Sequence, residues 1–263
     1  NYSRNKMSAD MDLPEQQSSV YVFDFDGVIC DSVGENILTA WRAAAPAGMA
    51  RTPPADIEAR FRACRPVIET GHQNIPLLHL LLHGYEVEQI LSGFEQLHRD
   101  YLAEHGHSEA DSMAAFGKAR AAWQAEDLQD WFSAQGFYAH AIAPVNHVAD
   151  RAVIATTKQH ESACRLVTRA GLEIPLARVY GMERLGPRKK RNIVEAVLER
   201  NPQARVHFFE DRIATLDKMT DLPRLELHLV DWGYNLSEER ARAAGHARMD
   251  LLNADQFAAL LQR

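Results

Sequence analysis

An apolar run, Val20-Tyr21-Val22-Phe23, breaks abruptly into Asp24-Phe25-Asp26-Gly27, and this junction constrains the fold more than any other stretch of the chain. A continuous apolar run bounded by turn-forming residues fits a strand buried on both faces of a parallel sheet. In open α/β sheets, ligands gather just beyond the carboxyl ends of the strands, which is where these two acids fall. Alternation along an extended chain sends Asp24 and Asp26 to the same side, close enough to share a cation. Gly27 lets the backbone turn out of the sheet. Taken alone, the tetrapeptide also fits a plain strand-to-turn junction, which Asp and Gly often build for local hydrogen-bonding reasons.

The pattern downstream extends the α/β reading. After Ser32, helical patterns run over 35–45, 55–63, 75–83, 86–104 and 111–134, punctuated by Pro53-Pro54, Gly84-Tyr85, Gly106-His107 and Gly136. From Arg151, short β-rich runs at 152–155, 178–180, 206–209 and 225–230 alternate with helices, as expected for βα units around a parallel sheet. One strand, a long helical stretch and then the remaining strands predict a sheet domain interrupted by an insertion. A chain of 263 residues is long enough for both.

A formal net charge of −7 offers no global basic field for nucleic acid or an anionic membrane, so a small soluble substrate is expected. No apolar segment reaches the length of a membrane span. Residues 1–17 are polar, carry both charge signs and lack the apolar centre of a signal peptide, and they are expected to form a flexible leader. Cys30, Cys64 and Cys164 are far apart, with no Cys-x-x-Cys pair. Reduced structural thiols in a cytoplasmic protein are the expectation.

The longer string Asp24-Phe25-Asp26-Gly27-Val28-Ile29-Cys30-Asp31-Ser32 resembles the first motif of the haloacid dehalogenase-like (HAD) superfamily. The resemblance implies a Rossmann-like core at 18–33 and 141–263, with a helical cap domain at 34–140. It also implies that Asp24 is the nucleophile that takes a phosphoryl group and that Asp26 is the general acid/base. Three further segments resemble the remaining motifs. Ala152-Val153-Ile154-Ala155-Thr156-Thr157-Lys158 ends in hydroxyls just before a helix expected near His160, and the resemblance makes Thr156 the phosphate-binding hydroxyl. Thr157 stands where many relatives carry Asn.

Gly186-Pro187-Arg188-Lys189-Lys190-Arg191-Asn192 sets four cations at the start of a helix expected over 192–199. Cations there oppose the helix dipole and call for nearby anions. One lysine would serve as the third motif, with spacing favouring Lys190 over Lys189, and the neighbouring cations are expected at a solvated surface. Val206-His207-Phe208-Phe209-Glu210-Asp211 is again an apolar run capped by acids, a pair that repels unless a cation compensates. It resembles the two-acid form of the fourth motif, with Asp211 a direct metal ligand and Glu210 a direct ligand or one shell out. Asp217 falls later than the usual second acid and is expected on a helix surface.

The segment Asp231-Trp232-Gly233-Tyr234-Asn235 resembles the corresponding loop of phosphoglycolate-phosphatase-type members, and Ser237 is expected to cap the following helix. The implied activity is a Mg2+-dependent phosphatase acting on a small phosphorylated metabolite through an aspartyl-phosphate. In it, Mg2+ is held by the Asp24 carboxylate, the Asp26 backbone carbonyl, Asp211 and, directly or indirectly, Glu210. Thr156, Thr157, Lys189 and Lys190 face the substrate, with Arg62, Arg65 and His72 as candidate cap contacts. The acid at position 26 argues against the dehalogenase and phosphonatase branches. A sugar-phosphate mutase and a catalytically weak binding protein are the alternatives.

Overall fold

A computed structural model describes residues 11–15, 17–44, 52–186 and 188–262. The chain divides into two compact units, Asn1–Asp31 with Phe137–Arg263, and Ser32–Gly136. The first carries the sheet. Its strands are β1 (Ser19–Phe23), β2 (Ala152–Ala155), β3 (Val179–Tyr180), β4 (Arg205–Glu210), β5 (Leu225–Val230) and β6 (Met249–Leu252). They lie in the order β3-β2-β1-β4-β5-β6, and each neighbouring pair runs parallel. This is a doubly wound α/β sheet whose strand order reverses at β1, so the carboxyl end of β1 opens at the switch point.

Alternation along β1 explains why the strand is apolar throughout. Val20 and Val22 join Val153, Val206, Phe208 and Leu227 in the core on one face. On the other, Tyr21 and Phe23 stack with His207 and Phe209, and Phe257 closes this aromatic layer edge-on. A strand flanked by β2 and β4 and covered on both faces has no position for a charge until it leaves the sheet.

Three features of this unit depart from expectation. The described part of the expected leader is packed rather than free: Met11 and Leu13 are buried in the core. The Tyr180 hydroxyl donates to the Asp12 carbonyl at 2.8 Å, and Asn201 Nδ2 donates to the Pro14 carbonyl at 2.8 Å. Two apolar side chains one residue apart suffice to dock so short a segment, which mean polarity conceals; residues 1–10 lie outside the described residues. A sixth strand, Met249–Leu252, was missed because exposed Asp250 interrupts its apolar pattern. Unit junctions fall at Asp31/Ser32 and Gly136/Phe137 rather than after 33 and 140. Tyr138 N donates to the Ile29 carbonyl at 3.0 Å, holding the returning chain to the outgoing one.

Helices α1 (Val33–Ala44), α2 (Ala55–Cys64), α3 (Asn74–Leu82), α4 (Val87–His105), α5 (Glu109–Glu126) and α6 (Leu128–Ser133) make up the second unit. The helical stretch expected over 111–134 is therefore two helices. Asp127 breaks it by adopting an extended backbone and accepting a hydrogen bond from Asp130 N at 2.9 Å, the competition through which Asp starts helices rather than continuing them.

At the centre of this unit, Glu35 and Arg120 form a buried pair, with Arg120 Nε and Nη2 donating to the two carboxylate oxygens at 2.7 and 2.8 Å. Thr39 Oγ1 and Trp131 Nε1 add hydrogen bonds to Glu35 Oε1. Further helices of the sheet unit are α7 (Ala139–His147), α8 (His160–Arg169), α9 (Lys190–Arg200), α10 (Ile213–Asp217), α11 (Ser237–Ala244) and α12 (Ala254–Leu261). Ser237 is the first residue of α11 rather than its cap; Glu239 reaches back instead, accepting from Leu236 N at 2.7 Å.

Candidate active site

Acids cluster where β1 and β4 end. Parallel register sets Phe23 beside Phe209, and Asp24 N extends the ladder by donating to the Phe209 carbonyl at 2.9 Å. Asp24 therefore emerges next to Glu210 and Asp211. Carboxylate oxygens of the three, all buried, lie within 4.8 Å of one another. Such crowding of like charge requires compensation, and Lys190 supplies part of it. Its Nζ lies 2.7 Å from Asp24 Oδ2 and 2.8 Å from Glu210 Oε2. The second Asp24 oxygen accepts from Phe25 N at 2.7 Å.

Of the two candidate lysines, Lys190 reaches the acids. Helix α9 begins at Lys190, which points inward, whereas Lys189 is exposed and takes a left-handed φ of 52°. Of the other cations of the run, Arg188 and Lys189 are exposed and Arg191 partly so, and the two arginines meet acids there. Arg188 pairs with Glu195, and Arg191 bridges Glu195 and Asp221 at 2.8 Å each. These pairs offset the unfavourable start of α9.

Asp26 lies one turn of the loop beyond Asp24. Its Oδ1 is 3.3 Å from Lys158 Nζ, off the line needed for a hydrogen bond, so the contact is an ion pair. Sequence reasoning overlooked Lys158. The signal available was a cation two residues past the strand-end hydroxyl Thr156. Thr156 itself is buried; its N donates to the Tyr180 carbonyl at 3.0 Å and its Oγ1 accepts from Lys158 N at 3.1 Å. Thr157 is half-buried beside it.

Asp211 is held on three sides. Tyr234 N donates to its Oδ2 at 2.8 Å, and Asn235 Nδ2 donates to its backbone carbonyl at 2.9 Å. A Cβ added at Gly27 would fall 2.1 Å from Asp211 Oδ2, and one at Gly233 would fall 2.3 Å from Asp211 Cβ. Both positions require glycine so that the acid can sit between the two loops, and Gly27 further adopts a φ of 85°. The segment 231–235 thus acts on Asp211 through its backbone and Asn235, while Tyr234 Oη donates to Asp31 at 2.9 Å. Asp217 stands apart and pairs with Arg242 at 2.5 Å.

Among the cap candidates, Arg62 is exposed, whereas Arg65 and His72 are buried within the helical unit. Arg65 Nη1 donates to the Ile68 carbonyl at 3.0 Å, and His72 Nδ1 lies 2.9 Å from Thr70 Oγ1.

Electrostatics follow from this packing. Burial, and then the Glu210 carboxylate, push the Asp24 carboxyl up to about 8 against the pull of Lys190. Burial likewise raises Glu210, opposed by Lys190 and aided by Asp211. Burial pulls Lys190 down, but Asp24 and Glu210 outweigh it and leave the ammonium above its usual range. Asp24, Asp26, Glu210 and Asp211 stand against Lys158 and Lys190, a formal surplus of two negative charges. With all four acids ionised, that surplus matches a divalent cation, and a donor set made only of oxygens suits a hard one.

No family model matches the chain, and no curated protein sequence matches it. Solved structures do. A predicted phosphatase from Clostridium acetobutylicum superposes with a TM-score of 0.58 at 13% identity, over 95% of this chain and 99% of that one. The chain has the haloacid dehalogenase-like fold. A predicted phosphoglycolate phosphatase from Haemophilus somnus shares this HAD-like fold with a TM-score of 0.55 at 13% identity, over 92% of this chain and 96% of its own. A haloacid dehalogenase-like family hydrolase from Streptococcus pneumoniae gives 0.53 at 14% identity, over 93% and 98%. Asp24, Glu210 and Asp211 lie where two adjacent strands of this sheet end, on the side where doubly wound folds bind ligands.

Proposed function

We propose that the protein is a Mg2+-dependent phosphatase acting on a small phosphorylated metabolite. The observation that carries this reading is the buried cluster of Asp24, Glu210 and Asp211 with Lys190 bridging two of its members. Structural acids spaced for their own stability would each acquire a separate partner. Here three carboxylates converge on one point, and two of them share one ammonium.

Asp24 attacks phosphorus in line through a carboxylate oxygen, forming an aspartyl-phosphate as the ester oxygen departs. Asp26 gives its proton to that oxygen and then takes one from the water that cleaves the intermediate. Thr156 and Lys190 hold the transferring group, whose developing charge they offset. Thr157 lines the same strand end, and Lys189 is assigned only an outer, solvent-facing contact. Asp24, Asp211 and the Asp26 backbone carbonyl would hold Mg2+, with Glu210 orienting through Lys190. When bound, the cation neutralises the acids and the phosphate oxygens together.

The helical unit is assigned as a cap that selects the leaving group. Cys30, Cys64 and Cys164 form no disulfide, which suits a cytoplasmic setting; no helix among the described residues is long and apolar enough to cross a membrane.

A screen of sugar phosphates, nucleotides and short phosphorylated acids with Mg2+ tests the proposal. Phosphate release by the native chain, abolished by Asp24→Asn, is expected. Undiminished release in Asp24→Asn sinks the mechanism, and transfer without net phosphate release, dependent on a bisphosphate, points to a mutase.

A further inference from the structure

The lysine beside Asp26 has no part in the mechanism just given. Its side chain is 1% exposed and that of Asp26 is 16% exposed, so an ammonium has been taken out of water at a substantial cost. Its backbone is fixed on both sides: Lys158 N donates to Thr156 Oγ1 at 3.1 Å, and the Lys158 carbonyl accepts from Met182 N at 2.8 Å. A buried cation on a fixed backbone, 3.3 Å from one oxygen of a carboxylate, is poorly explained by stability, because apolar side chains of similar volume serve a core as well or better.

Resting on the phosphatase reading, we infer that Lys158 is a positioning residue for Asp26. It holds Oδ1 and leaves Oδ2 as the oxygen that delivers and recovers the proton. In the first half-reaction the Asp24–phosphorus bond forms and the phosphorus–ester bond breaks. Its electron pair goes to the leaving oxygen, which takes the proton from Asp26 Oδ2. The carboxylate produced on Asp26 faces the Lys158 ammonium, so the ion pair is strongest after the proton has moved. Lys158 therefore matters in proportion to the proton demand of the leaving group. Contact with Thr156 Oγ1 through the Lys158 amide couples this acid to the hydroxyl assigned to phosphate.

The test compares an alkyl phosphate, whose leaving oxygen needs a proton, with p-nitrophenyl phosphate, whose leaving group does not. Single-turnover phosphorylation is measured for the native chain, Lys158→Met, Lys158→Arg, Asp26→Asn and the Asp26→Asn/Lys158→Met pair. Lys158→Met should slow transfer from the alkyl ester by about a hundredfold, the lower end for loss of general acid catalysis. Transfer from the aryl ester should fall less than about fivefold, KM should stay level, and Lys158→Arg should recover most of the alkyl rate.

In the double variant the Lys158 change should add little to Asp26→Asn, since both act through one proton transfer. Equal losses on both esters, a raised KM with kcat intact, or additive losses would overturn the inference. If Lys158→Met fails to fold, the Arg variant read on the two esters decides: a similar loss on both refutes the role. Failure of the underlying reading is a separate outcome, seen as a native chain inactive on both esters or an Asp24→Asn variant as active as the native chain.

Discussion

At the scale of single residues, the site is a charge problem solved by contacts that are remote in sequence. Asp24 keeps its proton up to about 8 because burial and Glu210 outweigh Lys190. A divalent cation favours the ionised form, so binding it must expel that proton. At pH 7, Mg2+ binding is expected to release close to one proton, and at pH 9.5 almost none. Titration calorimetry in two buffers of different ionisation enthalpy measures this directly, and no release at pH 7 would refute the coupling. Glycine at 233 is fixed by contact rather than by backbone conformation. Gly233→Ala sets a Cβ 2.3 Å from Asp211 Cβ and 2.7 Å from the Gly27 carbonyl, so Asp211 must shift. Mg2+ affinity should weaken about tenfold or more, read by calorimetry independently of turnover; unchanged affinity would show that Asp211 does not bind the ion.

At the scale of elements, strand β4 joins the site to an internal titration. His207 sits in its middle, stacked on Tyr21 at 5.1 Å and on His228 at 5.3 Å, with Nδ1 3.0 Å from His228 Nε2. Burial first, then His228 and Arg205, lower His207 from 6.5 to about 4. Between those values the unfolded chain binds more protons than the folded one, so stability is fully present above about 6.5 and declines as the pH falls toward 4. The full contribution is at most about 3 kcal/mol. Urea melts at pH 7.5 and pH 5 should show a smaller difference for His207→Gln than for the native chain. Equal differences would remove His207 as the source. The apolar strands β1, β4 and β5 were legible as elements, since burial on both faces leaves a continuous apolar run. Strand β6 was not, because at the sheet edge Asp250 can point outward beside His228. The break at Asp127 was hidden for a different reason: helix patterning around it is continuous, and a side-chain hydrogen bond ended the helix.

At the scale of the whole molecule, two units with separate cores carry separate vulnerabilities. The helical unit depends on Arg120, the cation for a Glu35 that is fully buried. Arg120→Met strands that carboxylate and should cost about 3–5 kcal/mol, whereas Glu35→Leu with Arg120→Met should recover most of it. Hydrogen exchange should show lost amide protection across 32–136, with β1, β2 and β4 of the sheet unit keeping theirs; uniform loss would indicate that the two units unfold as one. The sequence by itself determined the class of fold and the positions of the acids, because alternation, apolar runs and strand-end turns are local and follow from backbone periodicity. Only the tertiary structure decided which lysine meets Asp24, that Lys158 lies beside Asp26, and that Gly27 and Gly233 enclose Asp211. Those are distances between residues far apart in the chain, set by the crossover order that makes β1 the neighbour of both β2 and β4, and no local pattern encodes them.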